Sequence, residues 1–315
     1  MLKRSFVAML TAATLFGSHA ASAQNFPSKP IRILTGEAGG PNDFVGRLLA
    51  KGMTENGIPT TLENLKGAET STTTVKAAEP DGYTILDVGS VLWLLPFMRD
   101  SVAWDPLKDF APIMLTTAAP NVLAVNPSVP AKTVQELLAL AKTKDIVSAT
   151  GPAASGTNLA SQMFKAMTGA NIGHKVYSGN VPALNAVLSG ETQMMFVTMG
   201  AVIPEIKAGK LRGLAVTGDK PFELLPDLPT VASSGLAGFE AVAMTGFFAP
   251  KNTPPAVIKR LNEEMARVLN TPEAKKALLD RGVQIVASSP EELTAKMTSE
   301  MNRLGKVIKD AGIKD

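Results

Sequence analysis

Short apolar runs of strand character alternate with amphipathic helical runs along almost the whole chain, and the alternation restarts once. The first set is strand Ile31–Leu34, helix Phe44–Met53, strand Thr60–Glu63, helix Thr70–Ala78 and strand Tyr83–Val88. This order implies right-handed crossovers between parallel strands in a doubly wound sheet. The second set starts at strand Val122–Val125 and continues with helix Thr133–Lys142, strand Val147–Ala149, helix Leu159–Met167 and a short strand His174–Tyr177. Helix Pro182–Leu188, strand Gln193–Val197, helix Val202–Lys207 and strand Leu211–Thr217 complete it. Ala241–Ala249 is apolar and extended, and helical patterns follow at Pro254–Leu269, Pro272–Arg281 and Pro290–Ala311. Two α/β units in tandem, with C-terminal helices left over, predict two lobes. Ala119–Asn121 and the stretch 238–250 are the expected crossings. A chain that crosses twice leaves a cleft between lobes, where α/β proteins hold small ligands.

The first residues bear on the compartment. Lys3 and Arg4, the apolar run Phe6–Phe16 and the small residues Ala21–Ala23 have the layout of a secretory signal peptide. The apolar run is shorter than the roughly 20 residues that span a bilayer, so residues 1–23 are expected to be cleaved and the rest exported. Removing them leaves 292 residues with 29 basic and 28 acidic side chains. That balance, without a basic run carrying interleaved aromatics, gives no sign of nucleic-acid binding. The chain has no cysteine, hence no thiolate nucleophile or thiolate metal ligand. His19 leaves with the leader, and a lone His174 argues against a multi-histidine metal site and a serine–histidine triad. It reads as a surface or structural residue. No metal or cofactor is expected.

Candidate chemistry lies in the loops at strand–helix junctions. Thr35, Gly36, Glu37, Ala38, Gly39, Gly40, Pro41, Asn42 and Asp43 join the first strand to the first helix. The paired glycines free the backbone, Pro41 suits a first helical position, and the exposed amides of a helix start offer an anion seat. Neither GxGxxG nor a P-loop occurs. The second unit has a matching loop, Ser148–Asn158, with Gly151, Ala153, Ser155, Gly156, Thr157 and Asn158. There is no GxSxG elbow around Ser155, which disfavours a hydrolase nucleophile. Tyr177, Ser178 and Gly179 open a further helix, and Val197, Thr198 and Met199 end a methionine-containing strand. The dense apolar run Ser90–Met98 reads as a buried helix, with a partner-docking surface as the alternative.

Several further motifs together are specific. They are Phe26–Arg32, Gly39–Gly40 to Asp43 with Arg47, Pro80–Thr84, Asp105–Pro112, Asn121–Leu123 through Pro127–Pro130, Gly209–Thr217 and Leu225–Val231. On these the chain resembles the periplasmic solute-binding proteins of tripartite tricarboxylate transporters, the Bug receptors. The resemblance implies a two-lobed periplasmic-binding-protein fold of the venus-flytrap type (type II). It divides the chain into residues 24–120 with 248–315 as one lobe and 121–247 as the other. It further implies a monomeric, non-enzymatic periplasmic receptor for a carboxylated solute, held in the cleft by backbone amides, short polar side chains and water. Its partners would be the permease subunits, or a sensor kinase where a relative reports its ligand. The implied contacts are the loops above together with Gly89 and Ser90. A periplasmic enzyme using Asp43 or Glu37 as general base is the remaining alternative. Departures from the family pattern occur at Thr35, Glu37, Pro41, Lys66–Thr70, Ala153–Ala154 and Val197. They favour a larger, partly apolar acid, such as an aromatic one, and single out Glu37 as the residue that fits an anionic ligand least.

Overall fold

The computed structural model describes residues 26–152, 155–310 and 312–314; the leader with its expected cleavage site and Ala153 lie outside them. The first unit comprises β1 (Ile31–Thr35), α1 (Pro41–Glu55), β2 (Thr60–Asn64), α2 (Ala68–Lys76), β3 (Thr84–Gly89) and α3 (Val91–Met98). The long strand β4 (Phe110–Val125) leads to α4 (Val134–Leu140), β5 (Ile146–Thr150), α5 (Gly156–Thr168), β6 (Ile172–Val176) and α6 (Asn180–Leu188). There follow β7 (Met194–Thr198), α7 (Met199–Lys207) and β8 (Arg212–Val216). The chain returns through β9 (Val242–Pro250) to α8 (Pro255–Leu269), α9 (Pro272–Leu279), β10 (Gln284–Ile285) and α10 (Pro290–Asp310).

Each lobe is built on three parallel strands, β2–β1–β3 in the first and β6–β5–β7 in the second. In the first, successive residues point to opposite faces and both faces are covered. Ile33 and Ile85 join the apolar layer beneath α1 and α8, while Leu34 and Leu86 join the layer containing α3 and α10. That second layer continues without a break from Trp93 in the first lobe to Phe164 and Phe196 in the second. The lobes therefore share one core along their back.

β4 joins the two sheets. Its residues Phe110–Pro120 pair antiparallel with β9, Asn121–Val125 pair with β7 on one side, and Val122–Val125 pair with β8 on the other. Sequence pattern places this strand only from Val122. Pro112 and Pro120 interrupt the ladder, and register shifts beside Pro112 and at Leu115/Thr117 accommodate the long strand. β9 lies between β3 and β4, antiparallel to both. The expected return to the first lobe after residue 247 falls inside β9. Val242 already pairs with Pro120 in the first-lobe sheet, so the crossing lies earlier, at Ala241–Val242.

Thr217, fully buried, fastens the two crossings together. Its hydroxyl donates to the Ala241 carbonyl at 2.6 Å and accepts from the Asn121 amide at 2.8 Å. Its own backbone bonds Asn121 O and Ala241 N. On the back, α10 packs against α3, β4 and α5. Lys296 pairs with Glu240 at 2.6 Å, and Arg303 donates to the Glu240 carbonyl and reaches Met163 Sδ at 3.2 Å. Glu300 Oε2 accepts from Trp93 Nε1 at 3.0 Å, and burial pushes the Glu300 carboxyl up. Ser90–Met98 is the expected buried helix, with Trp93 fully enclosed.

Candidate functional site

A cavity of about 620 Å³ opens between the lobes. Its walls are the start of α1, the β3–α3 and β7–α7 junctions, the crossing parts of β4 and β9, the first turn of α5 and the turn after α9.

The start of α1 is held open by its own sequence. Gly40 is the extended N-cap and Pro41 takes the first helical position, where its missing N–H leaves nothing unpaired. Gly39 has φ +86°, the left-handed region that disfavours a side chain. Asp43, one turn into the helix, fixes this loop. Its Oδ2 accepts the Gly39 amide at 3.0 Å and Arg47 Nε at 3.0 Å, and its Oδ1 accepts Asn64 Nδ2 at 2.7 Å. The Arg47 bond is the main reason the Asp43 carboxyl is held below its usual range, against the opposing effect of burial. The first-turn amides of a helix have no intrahelical acceptor and carry the positive end of its dipole. Gly39, Gly40, Pro41 and Asn42 all line the cavity, and Asn42 Oδ1 accepts from Thr245 Oγ1 of β9 at 3.3 Å.

The other expected residues divide clearly. Gly89, Ser90, Gly156, Thr198 and Met199 line the cavity. Thr35, Gly36, Glu37, Ala38 and Asp43 do not. Thr35 is buried and spends its hydroxyl on the Asp87 carbonyl, and the Gly36 carbonyl accepts from Asn64. Glu37 and Ala38 are exposed, away from the lining. In the second lobe Ser155 caps α5 through the Asn158 amide at 3.2 Å. Thr157 donates to Asn180 Oδ1 at 2.9 Å and accepts from the Gly151 amide. Gly151, Ser155, Thr157 and Asn158 thus build the loop and stay out of the lining. Tyr177 turns to Glu191, bonding Oε1 at 3.0 Å, and with Ser178 and Gly179 lies off the cavity. Val197 is packed in the second-lobe core. Ala153 lies outside the described residues. His174 is half-buried, its Nε2 2.9 Å from Ser161 Oγ, with burial pushing its pKa down.

Three groups escape sequence reading. The crossing strands supply Thr117, Ala119–Asn121 and Ala241–Thr245, since a cleft between two lobes has the connecting strands as its floor. α3, α5 and α10 add Leu94, Leu95, Met98, Leu159 and Leu304, whose apolar spacing reads only as core. The turn Arg281–Val283 adds the one ionisable side chain among the described lining residues, Arg281. No group of three or more His, Cys, Asp or Glu side chains suited to a metal ion occurs among the described residues. Asp87, two residues before Gly89, is 1% exposed, and neither carboxyl oxygen has a hydrogen-bond partner among the described residues. Burial pushes its pKa well up, and the nearby Asp43 charge adds to this.

The sequence profile of the tripartite tricarboxylate transporter family receptor matches residues 45–313. An Agrobacterium vitis protein of the TAR-I ttuE-ttuC' intergenic region is 30% identical over 98% of this chain and 91% of its own. The solved structure of an R. palustris protein with adipate has a TM-score of 0.74 at 27% identity, covering 92% of this chain and 99% of that one. MatC of Rhodopseudomonas palustris with bound malate has a TM-score of 0.68 at 27% identity, over 90% of this chain and 100% of its own.

Proposed function

The chain belongs to the tripartite tricarboxylate transporter receptor family, and from that premise we propose that its cleft captures a small organic acid for such a transporter. The single observation that carries this reading is the interlobe cavity onto which the N-terminal turn of α1 opens. The fixed Gly39 loop, the unpaired first-turn amides and the short polar side chains of Asn42, Ser90, Thr198 and Thr245 form a seat for one carboxylate. Relatives of similar fold hold adipate and malate, both carboxylates, which supports the same chemistry here.

Capture works by lobe closure. A ligand touching α1 and β3–α3 on one side and β7–α7 and α5 on the other stabilises the closed form only through contacts the open form lacks. The crossings fastened by Thr217 serve as the pivot. The lobes are residues 26–120 with 242–314, and 121–241. The receptor works in the periplasm after loss of its leader, as a monomer, and docks when closed on the membrane subunits of the transporter. It binds its solute and returns it unchanged.

Thermal unfolding of the purified protein with adipate, malate, benzoate and octanoate tests this. A rise in Tm with at least one acid, saturable and absent with the corresponding primary amide, is expected. A flat response to all four removes the carboxylate reading.

A further inference from the structure

The cavity changes character along its length. Ser90, at its polar end, precedes α3, and Leu94, Leu95 and Met98 follow on the same helix. At 1.5 Å rise per residue, Met98 lies about 12 Å from Ser90. Leu159 from α5 and Leu304 from α10 also line the cavity, and α10 packs against both α3 and α5. These five side chains are all at least nine-tenths buried and belong to the core layer the two lobes share. Such a layer is normally close-packed. Here it is open to the ligand cavity, and its walls give a second carboxylate no hydrogen-bond partner.

The polar end carries a cation. The guanidinium carbon of Arg281 stands 3.7 Å from the centroid of the Phe44 ring, two residues beyond Asn42 on α1. Stacking of this kind fixes the plane of the group. Its hydrogen bond to the Ala277 carbonyl is a long 3.4 Å contact, and no carboxylate among the described residues pairs with it. The backbone places it there. Gly282 has φ +71° and sits so close to the start of α7 that a Cβ would come within 2.4 Å of Met199. An oriented, unmatched cation on a cavity with no acidic side chain among its described lining residues is complementary to an anion.

We propose that Arg281 is a specificity-determining residue that pairs with the ligand carboxylate, and that the ligand class is a monocarboxylate whose apolar body fills the leucine–methionine end. This rests on the carboxylate-receptor reading above and narrows it away from short dicarboxylates.

Calorimetric titration of the full mature chain with straight-chain monocarboxylates from butanoate to octanoate, and with adipate, tests it. Affinity should rise about fourfold per methylene added, and hexanoate should bind more tightly than adipate of equal chain length. Arg281→Gln should weaken every acid about tenfold at low salt, with the difference shrinking as salt is raised; Arg281→Lys should recover part of it. Leu304→Ser should flatten the chain-length series, weakening octanoate more than butanoate. Affinity independent of chain length, tighter binding of adipate, or an unaffected Arg281→Gln overturns the proposal. If acids bind and Asn42→Ala weakens them while those three results hold, the receptor reading survives and this proposal alone falls. Silence with every acid removes both.

Discussion

The Asp43 carboxylate accepts the Gly39 amide at 3.0 Å, closing the loop before α1 from inside the helix that follows it. The same carboxylate holds Arg47 and Asn64, so one buried acid organises three donors. The proposed anion seat is therefore preformed, and its acid Asp43 is paired with Arg47 and lies outside the lining. Asp43→Ala should lower unfolding free energy by about 2–3 kcal/mol, from the donors left without an acceptor. It should also weaken acid binding several-fold. Urea unfolding and titration on one preparation measure both, and a variant as stable as the parent would show that the loop holds itself.

Asp87 gives a pH signature. An acid whose folded pKa is raised keeps its proton in the native state after the unfolded chain has lost it. Stability from this residue is therefore greatest below the unfolded value of about 3.9 and declines as pH rises toward the folded pKa. Asp43 has the opposite sign, its contribution lost as pH falls below that value. Asp87→Asn removes the first component alone. The variant minus wild-type difference in stability should grow in the variant's favour between about pH 4 and pH 7. A difference that stays constant over that range would mean Asp87 is ionised when folded.

The Thr217 hydroxyl bonds both crossing segments, so Thr217→Val leaves a buried amide and a buried carbonyl each short of a partner at nearly unchanged volume. A loss of about 2–4 kcal/mol in unfolding free energy is expected. An unchanged urea midpoint would indicate that the backbone bonds of Thr217 suffice to join the crossings.

Glu37 is exposed and outside the cavity lining. A solvent-facing charge is strongly screened. Glu37→Gln should alter acid affinity by less than about twofold at physiological salt. A larger gain would bring Glu37 into the closed cleft and restore it as a specificity residue.

Much of this molecule is legible in its residues because parallel strands covered on both faces leave strong periodic signals. Ile31–Leu34, Tyr83–Val88 and the amphipathic helix through Leu49 and Met53 are examples. The first half of β4 is not, because Pro112 and Pro120 break the pattern that identifies a strand, and only pairing with β9 reveals it. Gly39–Asn42, Gly89–Ser90 and Thr198–Met199 line the cavity, as strand–helix junctions of an α/β lobe converge on its cleft. Thr157, Ser155 and Tyr177 have the same polar character, yet spend it on Gly151, Asn180, Asn158 and Glu191. Which hydroxyl faces a ligand and which closes a loop depends on distances between segments. Arg281 lies far from every junction motif and reaches the cavity lining only because the turn after α9 brings it over the Phe44 ring of α1.

The most direct measurement is identification, by mass spectrometry after denaturation, of the small molecule carried by the protein isolated from cells exporting it and loaded from a mixed organic-acid extract. A carboxylic acid at about one per chain, recovered with its mass unchanged after prolonged incubation, is expected. Recovery of a sugar, an amine or a chemically converted product, or of no acid at all, would contradict it.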